Sequence, residues 1–209
     1  MKFRRYLVGV VVLVSGLMAG CTGSNPSEDT SVLAPNLRAF FQQFLDQPGI
    51  SDFEREVFTR AVETGGITQE DYDEAFRRYA SCMVDKGYHE TYERRPDGLM
   101  SIRPPQSMVD VSDKEFDAYA QQMTDCADGT VMRIEAAYND QLNNPGLLSD
   151  PYEIVVQCLA QSGLVDLSYT PEQFEQDLNS SLKDNAPFDP MDPQVQQCLS
   201  GAGIGYVTN

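Results

Sequence analysis

The side chains of this chain that could do chemistry are one histidine, five cysteines and 32 aspartates and glutamates. For nucleophilic catalysis, His89 would need a carboxylate that orients it and a serine or cysteine that it activates. The sequence has no G-x-S-x-G motif that would supply such a serine. Carboxylates are so frequent that a pair at glycosidase spacing arises easily by chance. We predict that those at 54, 56 and 70–74 lie on the solvated faces of helices. The sequence therefore predicts a protein that is not an enzyme, with an envelope hydrolase using carboxylates as an alternative.

The first cysteine, Cys21, follows a segment with the order of a secretory signal. Three basic residues among the first five precede an apolar stretch at 6–18, which is shorter than a transmembrane helix, and the cysteine is reached through Leu17-Met18-Ala19-Gly20. This order resembles the lipobox of bacterial lipoproteins, in which the signal is cut before the cysteine and that cysteine carries lipid. The resemblance implies a signal peptide at 1–20 and a lipid-anchored protein at the cell membrane, facing outside the cytoplasm. An ordinary signal peptide with a chance cysteine is the alternative.

The segment after Cys21 differs in composition from the rest of the chain. Residues 22–35 are small, polar and interrupted by proline, so 21–35 is predicted to be the lipidated cysteine with a flexible linker, and 36–209 an extracytoplasmic domain. The net charge of the whole chain is −17. Phosphate backbones repel so acidic a protein, and we therefore expect no nucleic-acid partner.

The other four cysteines predict disulfides, because an even number in an exported chain is usually paired. They are Cys82, Cys126, Cys158 and Cys198. Zinc is the alternative, but no two of them have C-x₂₋₄-C spacing and one histidine is present to complete a site. We therefore expect no metal and no cofactor.

An internal similarity favours one of the three possible pairings. Residues 82–88, CMVDKGY, match 158–164, CLAQSGL, and VDVS at 109–112 followed by Phe116 matches VDLS at 165–168 followed by Phe174. Each unit then ends in a helix with a second cysteine, 44 or 40 residues after the first. The pattern predicts pseudo-repeats at about 68–143 and 150–209, with Cys82–Cys126 in one and Cys158–Cys198 in the other. Chance similarity between short helix ends is the competing interpretation.

The elements that would position these residues are mostly helices. Apolar residues recur at helical spacing behind capping boxes such as Ser51 with Glu54, and proline occupies the first helical position at 151, 171 and 193. Within 88–103, a Pro96-Asp97-Gly98 turn between two polar-apolar runs predicts a β-hairpin. Residues 163–167 predict a short strand. The expected fold class is α+β, predominantly α-helical.

Short motifs spread over most of the mature chain carry a family resemblance. They are FEREV at 53–57, IT-x-x-DY at 67–72, YASCM at 79–83 ending at Gly87, Asn144-Pro145, Cys158-Leu159 and the late Cys198. With the lipobox, this layout resembles uncharacterised secreted lipoproteins of actinobacteria. The motifs are structural, so the resemblance implies a location and disulfides but no reaction.

The function that these observations favour is a non-catalytic interaction or structural module held at the membrane by its lipid. The predicted contacts for an envelope protein partner lie on the hairpin, because tyrosine and arginine are enriched at binding hot spots. They are Tyr88, Tyr92, Arg94 and Arg95. A small-solute-binding lipoprotein is an alternative, although the mature chain is short for two lobes around a cleft.

Overall fold

The computed structural model describes residues 31–180 and 186–205, which form eight α-helices and one two-stranded antiparallel hairpin. The predicted signal peptide and Cys21 lie outside the described residues. The elements are α1 (Leu37–Leu45), α2 (Asp52–Thr64), α3 (Gln69–Asp85), β1 (Thr91–Arg94), β2 (Met100–Arg103), α4 (Asp113–Ala127), α5 (Met132–Asn143), α6 (Pro151–Gln161), α7 (Pro171–Asn179) and α8 (Pro193–Gly201). The prediction of a mostly helical α+β fold is confirmed.

Side chains at the helix starts satisfy backbone N–H groups that have no partner within the helix. The Ser51 hydroxyl accepts from the backbone N–H of Glu54 at 3.1 Å, while the Glu54 carboxylate accepts from the backbone N–H of Ser51 at 2.9 Å. The same reciprocal arrangement opens α3 and α7. At the start of α4 the Glu115 carboxylate accepts from both the N–H and the hydroxyl of Ser112, and proline begins α6, α7 and α8. The predicted starts of these helices are therefore confirmed.

The larger hydrophobic core lies between α1 to α5 and the hairpin, where the stripes of apolar and aromatic residues converge. Its largest fully buried side chains include Phe41, Phe58, Tyr72, Tyr79 and Tyr119. The Cys82–Cys126 disulfide joins the ends of α3 and α4 beside this core.

A second, smaller core is built by α6, α7 and α8 around Val155, Leu159, Phe174 and Leu199. The Cys158–Cys198 disulfide lies within it and joins α6 to α8. Both predicted cysteine pairings are therefore confirmed, with one disulfide beside each core.

The internal similarity holds at the helix ends and fails after them. Gly87 and Gly163 both adopt a left-handed backbone, with φ of +89° and +69°, and the residue after each donates its N–H to the carbonyl five residues back, at 2.9 Å in both cases. The proposed equivalence of Phe116 and Phe174 is wrong, because Phe116 is 48% exposed and Phe174 is fully buried. The units also differ in topology, since Cys126 lies on α4, the first α-helix after its glycine, whereas α7 comes between Gly163 and the helix that carries Cys198.

The structure differs from two further expectations drawn from the sequence. Residues 163–167 form turns and no strand, because the Asp166 carboxylate accepts from the N–H and hydroxyl of Ser168 and bends the chain there. The predicted linker and the folded domain overlap at 31–35: Val32 forms an antiparallel bridge with Leu148, and Ala34 is buried in the larger core.

Candidate functional site

The hairpin that carries the predicted partner contacts packs its two tyrosines inward. The Tyr88 ring lies edge-on to Tyr119 with centroids 5.0 Å apart, and the Tyr92 ring meets Phe76 at 5.8 Å and Tyr79 at 6.3 Å. Both residues are partly buried. These tyrosines therefore attach the hairpin to α3 and α4, and their rings are not free surface groups.

A single carboxylate at the base of the hairpin collects three tyrosine hydroxyls. Glu90 accepts from Tyr92 at 2.8 Å through one oxygen, and from Tyr79 at 3.2 Å and Tyr119 at 2.5 Å through the other. Burial and the neighbouring Glu90 carboxylate raise the pKa of all three tyrosines above the ordinary value, so the hydroxyls remain protonated donors. The cluster holds the hairpin base in place and leaves His89 exposed beside it.

The two arginines of the hairpin are also engaged within the protein. The Arg94 guanidinium pairs with Asp73 of α3 and donates to the carbonyl of Gly98. The Arg95 guanidinium binds both carboxylate oxygens of Asp97, and one of its nitrogens lies 3.5 Å from the Ser200 hydroxyl of α8. The rings of both tyrosines and the guanidinium groups of both arginines are therefore engaged within the protein.

The same hairpin forms one wall of a concave site, which we call the hairpin cleft. The cleft has a volume of about 470 Å³ and is lined from five parts of the fold. Representative lining residues are Phe76 of α3, Arg95 and Leu99 of the hairpin turn, Met123 of α4, Glu135 of α5 and Ser200 of α8. It lies where α8 of the smaller core approaches the helices of the larger core. Its walls are mainly apolar with a few polar groups, as is usual for small-molecule sites.

Glu135 is the one carboxylate among the residues that line the cleft. One of its oxygens, Oε2, accepts a 2.7 Å hydrogen bond from the hydroxyl of Tyr72, which itself accepts from the backbone N–H of Met100 at 3.0 Å. Burial raises the pKa of Glu135 above its ordinary value, opposed by the Tyr72 hydrogen bond and the charge of Arg95. The cleft thus contains an acid that the fold desolvates but does not neutralise with a direct ion pair.

No functional role is predicted for Glu135 from the sequence, and Tyr72 enters there only as part of the structural motif at 67–72. Glu135 lies next to the buried Ile134 on α5, and Tyr72 lies within the buried face of α3. The sequence does show that Glu135 adjoins a buried apolar stripe. It does not show the hydrogen bond to Tyr72, which lies 63 residues away along the chain.

One acidic residue that the sequence assigned to a solvated face is buried instead. Glu54 is completely buried, because its carboxylate caps α2 and also accepts from the guanidinium of Arg133 at 3.1 Å. Arg133 in turn bonds Asp128 at 3.0 Å. The capping function of Glu54 explains this burial, and Arg133 bridges its carboxylate to that of Asp128.

Residues 31–180 and 186–205 show neither a cluster of metal ligands nor a membrane-spanning helix. In that part of the chain, no group of three or more His, Cys, Asp or Glu residues is arranged to hold a metal ion. No helix there has the length and apolar character needed to cross a membrane.

Comparison of the chain with protein-family models, curated proteins and solved structures finds no match.

Proposed function

We propose that the protein is a lipid-anchored, non-catalytic module that works outside the cytoplasm. The observation that carries the proposal is the pair of disulfides, one beside each core. Disulfides persist in oxidising compartments and are rare in the reducing cytoplasm. With four cysteines paired, Cys21 is the one left over, and it follows the lipobox-like residues 17–20.

The start of the folded domain suggests where the tether attaches. The carbonyl of Ser31 accepts from the N–H and hydroxyl of Ser149 at 2.9 and 2.8 Å, and the N–H of Leu33 donates to the carbonyl of Leu147 at 2.6 Å. The chain thus joins the domain beside the segment that connects the two units. The roughly ten residues between Cys21 and this attachment span at most about 35 Å, so the domain works close to the membrane surface.

The test of the anchor is a substitution at the lipidated position. Cys21→Ala is expected to leave the protein unprocessed or to release it from the membrane fraction, and to abolish labelling by a fatty-acid probe. The neighbouring Thr22→Ala is the matched control and should be processed, labelled and retained like the wild type. Normal processing and labelling of Cys21→Ala would exclude the lipid anchor.

We propose that the hairpin side of the domain binds a partner protein of the envelope. The contacts of Tyr92 and Arg94 mean that alanine at these positions would also loosen the hairpin. Glu93 and Arg103 are better positions for substitution, because they pair with each other and their side chains are 65% and 72% exposed. Reversing both charges should weaken capture of a cross-linked envelope partner while circular dichroism stays unchanged. Equal capture would remove the hairpin from the interface.

Small-solute binding is the second candidate, and the hairpin cleft is the observation that favours it. Its volume of about 470 Å³ is within the range of ligand sites. The site needs no second lobe, because α3, α4, α5 and the hairpin supply most of its lining and Ser200 of α8 adds to it. The hydrolase alternative gains no such support, since a two-carboxylate mechanism needs a second acid in the cleft lining.

A further inference from the structure

We propose that the hairpin cleft binds a small primary amine with an apolar or aromatic body, its ammonium group hydrogen-bonded to Glu135. This inference rests on the solute-binding candidate above and adds the chemical class of the ligand. Three observations carry it: the shape and walls of the cleft, the free oxygen of Glu135, and the local balance of charge.

The walls of the cleft suit an apolar body. Phe76 of α3, Met123 of α4, Val131 just before α5, and Leu99 and Ile102 of the hairpin line it. A volume of about 470 Å³ accommodates a substituted aromatic ring or a short alkyl chain with space for a polar group. Burying such a body removes apolar surface from water and supplies binding free energy without a specific polar contact.

The Glu135 carboxylate supplies the polar contact. Its Oε2 atom is occupied by the Tyr72 hydroxyl, and among the described residues no group donates a hydrogen bond to its Oε1 atom. Tyr72 is fully buried and is itself fixed by the N–H of Met100, so the carboxylate is held in one orientation. A ligand ammonium group could donate to the free oxygen without displacing any protein hydrogen bond, and charge-assisted bonds of this kind are stronger than neutral ones.

The charges around the carboxylate favour a cation over an anion. Arg95 is the nearby positive group, but both oxygens of Asp97 bind its guanidinium, and the side chain of Asp97 is 3% exposed. The three side chains therefore carry one net negative charge when Glu135 is ionised. The net charge of −17 over the whole chain also attracts cations from a distance.

Retaining an acid here costs folding stability. Burial raises the pKa of Glu135, which means that its ionised form is less favourable in the folded protein than in water. A glutamine could accept the same Tyr72 hydrogen bond without this penalty. Desolvated acids that persist in a cleft are characteristic of functional sites.

The test measures binding of three probes of similar shape to the full-length lipidated protein in a zwitterionic detergent. The probes are phenethylamine, 2-phenylethanol and 3-phenylpropionate, compared by isothermal titration calorimetry at pH 7.5. We expect phenethylamine to bind at least about tenfold more tightly than the alcohol, corresponding to one charge-assisted hydrogen bond, and the carboxylate probe to bind most weakly.

Three variants separate the parts of the proposal. Glu135→Gln should reduce the affinity for phenethylamine to that for the alcohol. Ala136→Phe places a ring in the mouth of the cleft from an exposed position and should abolish binding of both. Ala118→Phe, at an exposed position of α4 outside the cleft, is the matched control and should change neither.

The outcomes distinguish this inference from the proposals on which it builds. Equal affinity for amine and alcohol, unchanged by Glu135→Gln, would overturn the ammonium site and leave the cleft as an apolar site. Tighter binding of the carboxylate probe would assign the site to Arg95 and overturn the proposal. If no probe binds, or if Ala136→Phe binds like the wild type, the cleft is not the site; the Cys21 experiment decides the lipid anchor independently.

Discussion

The hydroxyl of Tyr72 on α3 donates a 2.7 Å hydrogen bond to Glu135 on α5 while it accepts one of 3.0 Å from the backbone of Met100 on β2. One buried hydroxyl thus connects two helices and the hairpin at the edge of the cleft. The ring of Tyr72 also stacks on Tyr138 with centroids 4.7 Å apart. The orientation of the cleft acid is therefore fixed by the larger core.

The pH dependence of the free energy of unfolding should show how much stability the partly buried Glu135 carboxylate costs. Because the folded-state pKa of Glu135 is raised above its unfolded value, the protonated form contributes stability below the unfolded pKa. That contribution is lost as the pH rises through the folded pKa. Glu135→Gln should therefore unfold at a higher urea concentration than the wild type at pH 7, and the difference should shrink towards pH 4.

The control for this measurement removes a carboxylate from open solvent. Glu56→Gln, at an exposed position of α2, should show no comparable gain at pH 7. A Glu135→Gln protein that is less stable than wild type at pH 7 would mean that the ionised acid stabilises the fold and that no stability is sacrificed for the cleft.

The smaller unit should depend strongly on its disulfide. Cys158–Cys198 closes a loop of sequence separation 40, which on the chain-entropy model corresponds to about 4 kcal/mol of the free energy of unfolding. The core around α6 to α8 is small, so replacing both cysteines with serine should unfold it before the larger unit. Hydrogen exchange should show lost protection in 151–201 and retained protection in α1 to α5.

The reciprocal variant is the comparison. Replacing Cys82 and Cys126 with serine should lower protection in α3 and α4 and leave α6 to α8 protected. Simultaneous loss of protection across the whole chain in either variant would mean that the two cores unfold as one cooperative unit and would contradict this prediction.

The elements that the sequence predicted well are those decided by neighbouring residues. Helix starts follow from capping side chains three positions apart, and the hairpin follows from its Pro96-Asp97-Gly98 turn, which the Asp97 carboxylate closes by accepting from the N–H of Leu99 at 3.0 Å. The cleft could not be predicted in this way. Its charged end brings together Arg95 and Ser200, which are 105 residues apart, and only the packing of α8 against α5 places them there.

That packing of α8 on α5 depends on a residue without a side chain. A Cβ atom at Gly201 would lie 2.8 Å from the Cβ atom of Asn143, and the Gly201 carbonyl accepts from Asn139 at 2.9 Å. Gly201→Ala should therefore separate the two helices and lower the free energy of unfolding by about 1–3 kcal/mol. Gly205→Ala is the control, because no atom lies within 4 Å of a Cβ added there. Equal urea midpoints for the two variants would contradict the close contact.

The Glu90 cluster should show energetic coupling that a surface group would not. Glu90→Ala leaves the hydroxyls of Tyr79, Tyr92 and Tyr119 without their shared acceptor, and each unsatisfied buried hydroxyl costs about 1–3 kcal/mol. The single variant should therefore lose about 3 kcal/mol or more. Tyr92→Phe alone should lose about 1 kcal/mol, because it removes one donor and leaves the acceptor with two.

A background in which all three tyrosines are phenylalanine isolates the coupling. There Glu90→Ala removes a carboxylate that has lost its donors, so it should cost much less than in the wild type or become stabilising. Chemical denaturation of the four proteins gives the interaction energy directly. If Glu90→Ala costs the same in both backgrounds, the hydroxyls do not hold the hairpin through Glu90, and Tyr88 and Tyr92 would keep it in place by ring packing alone.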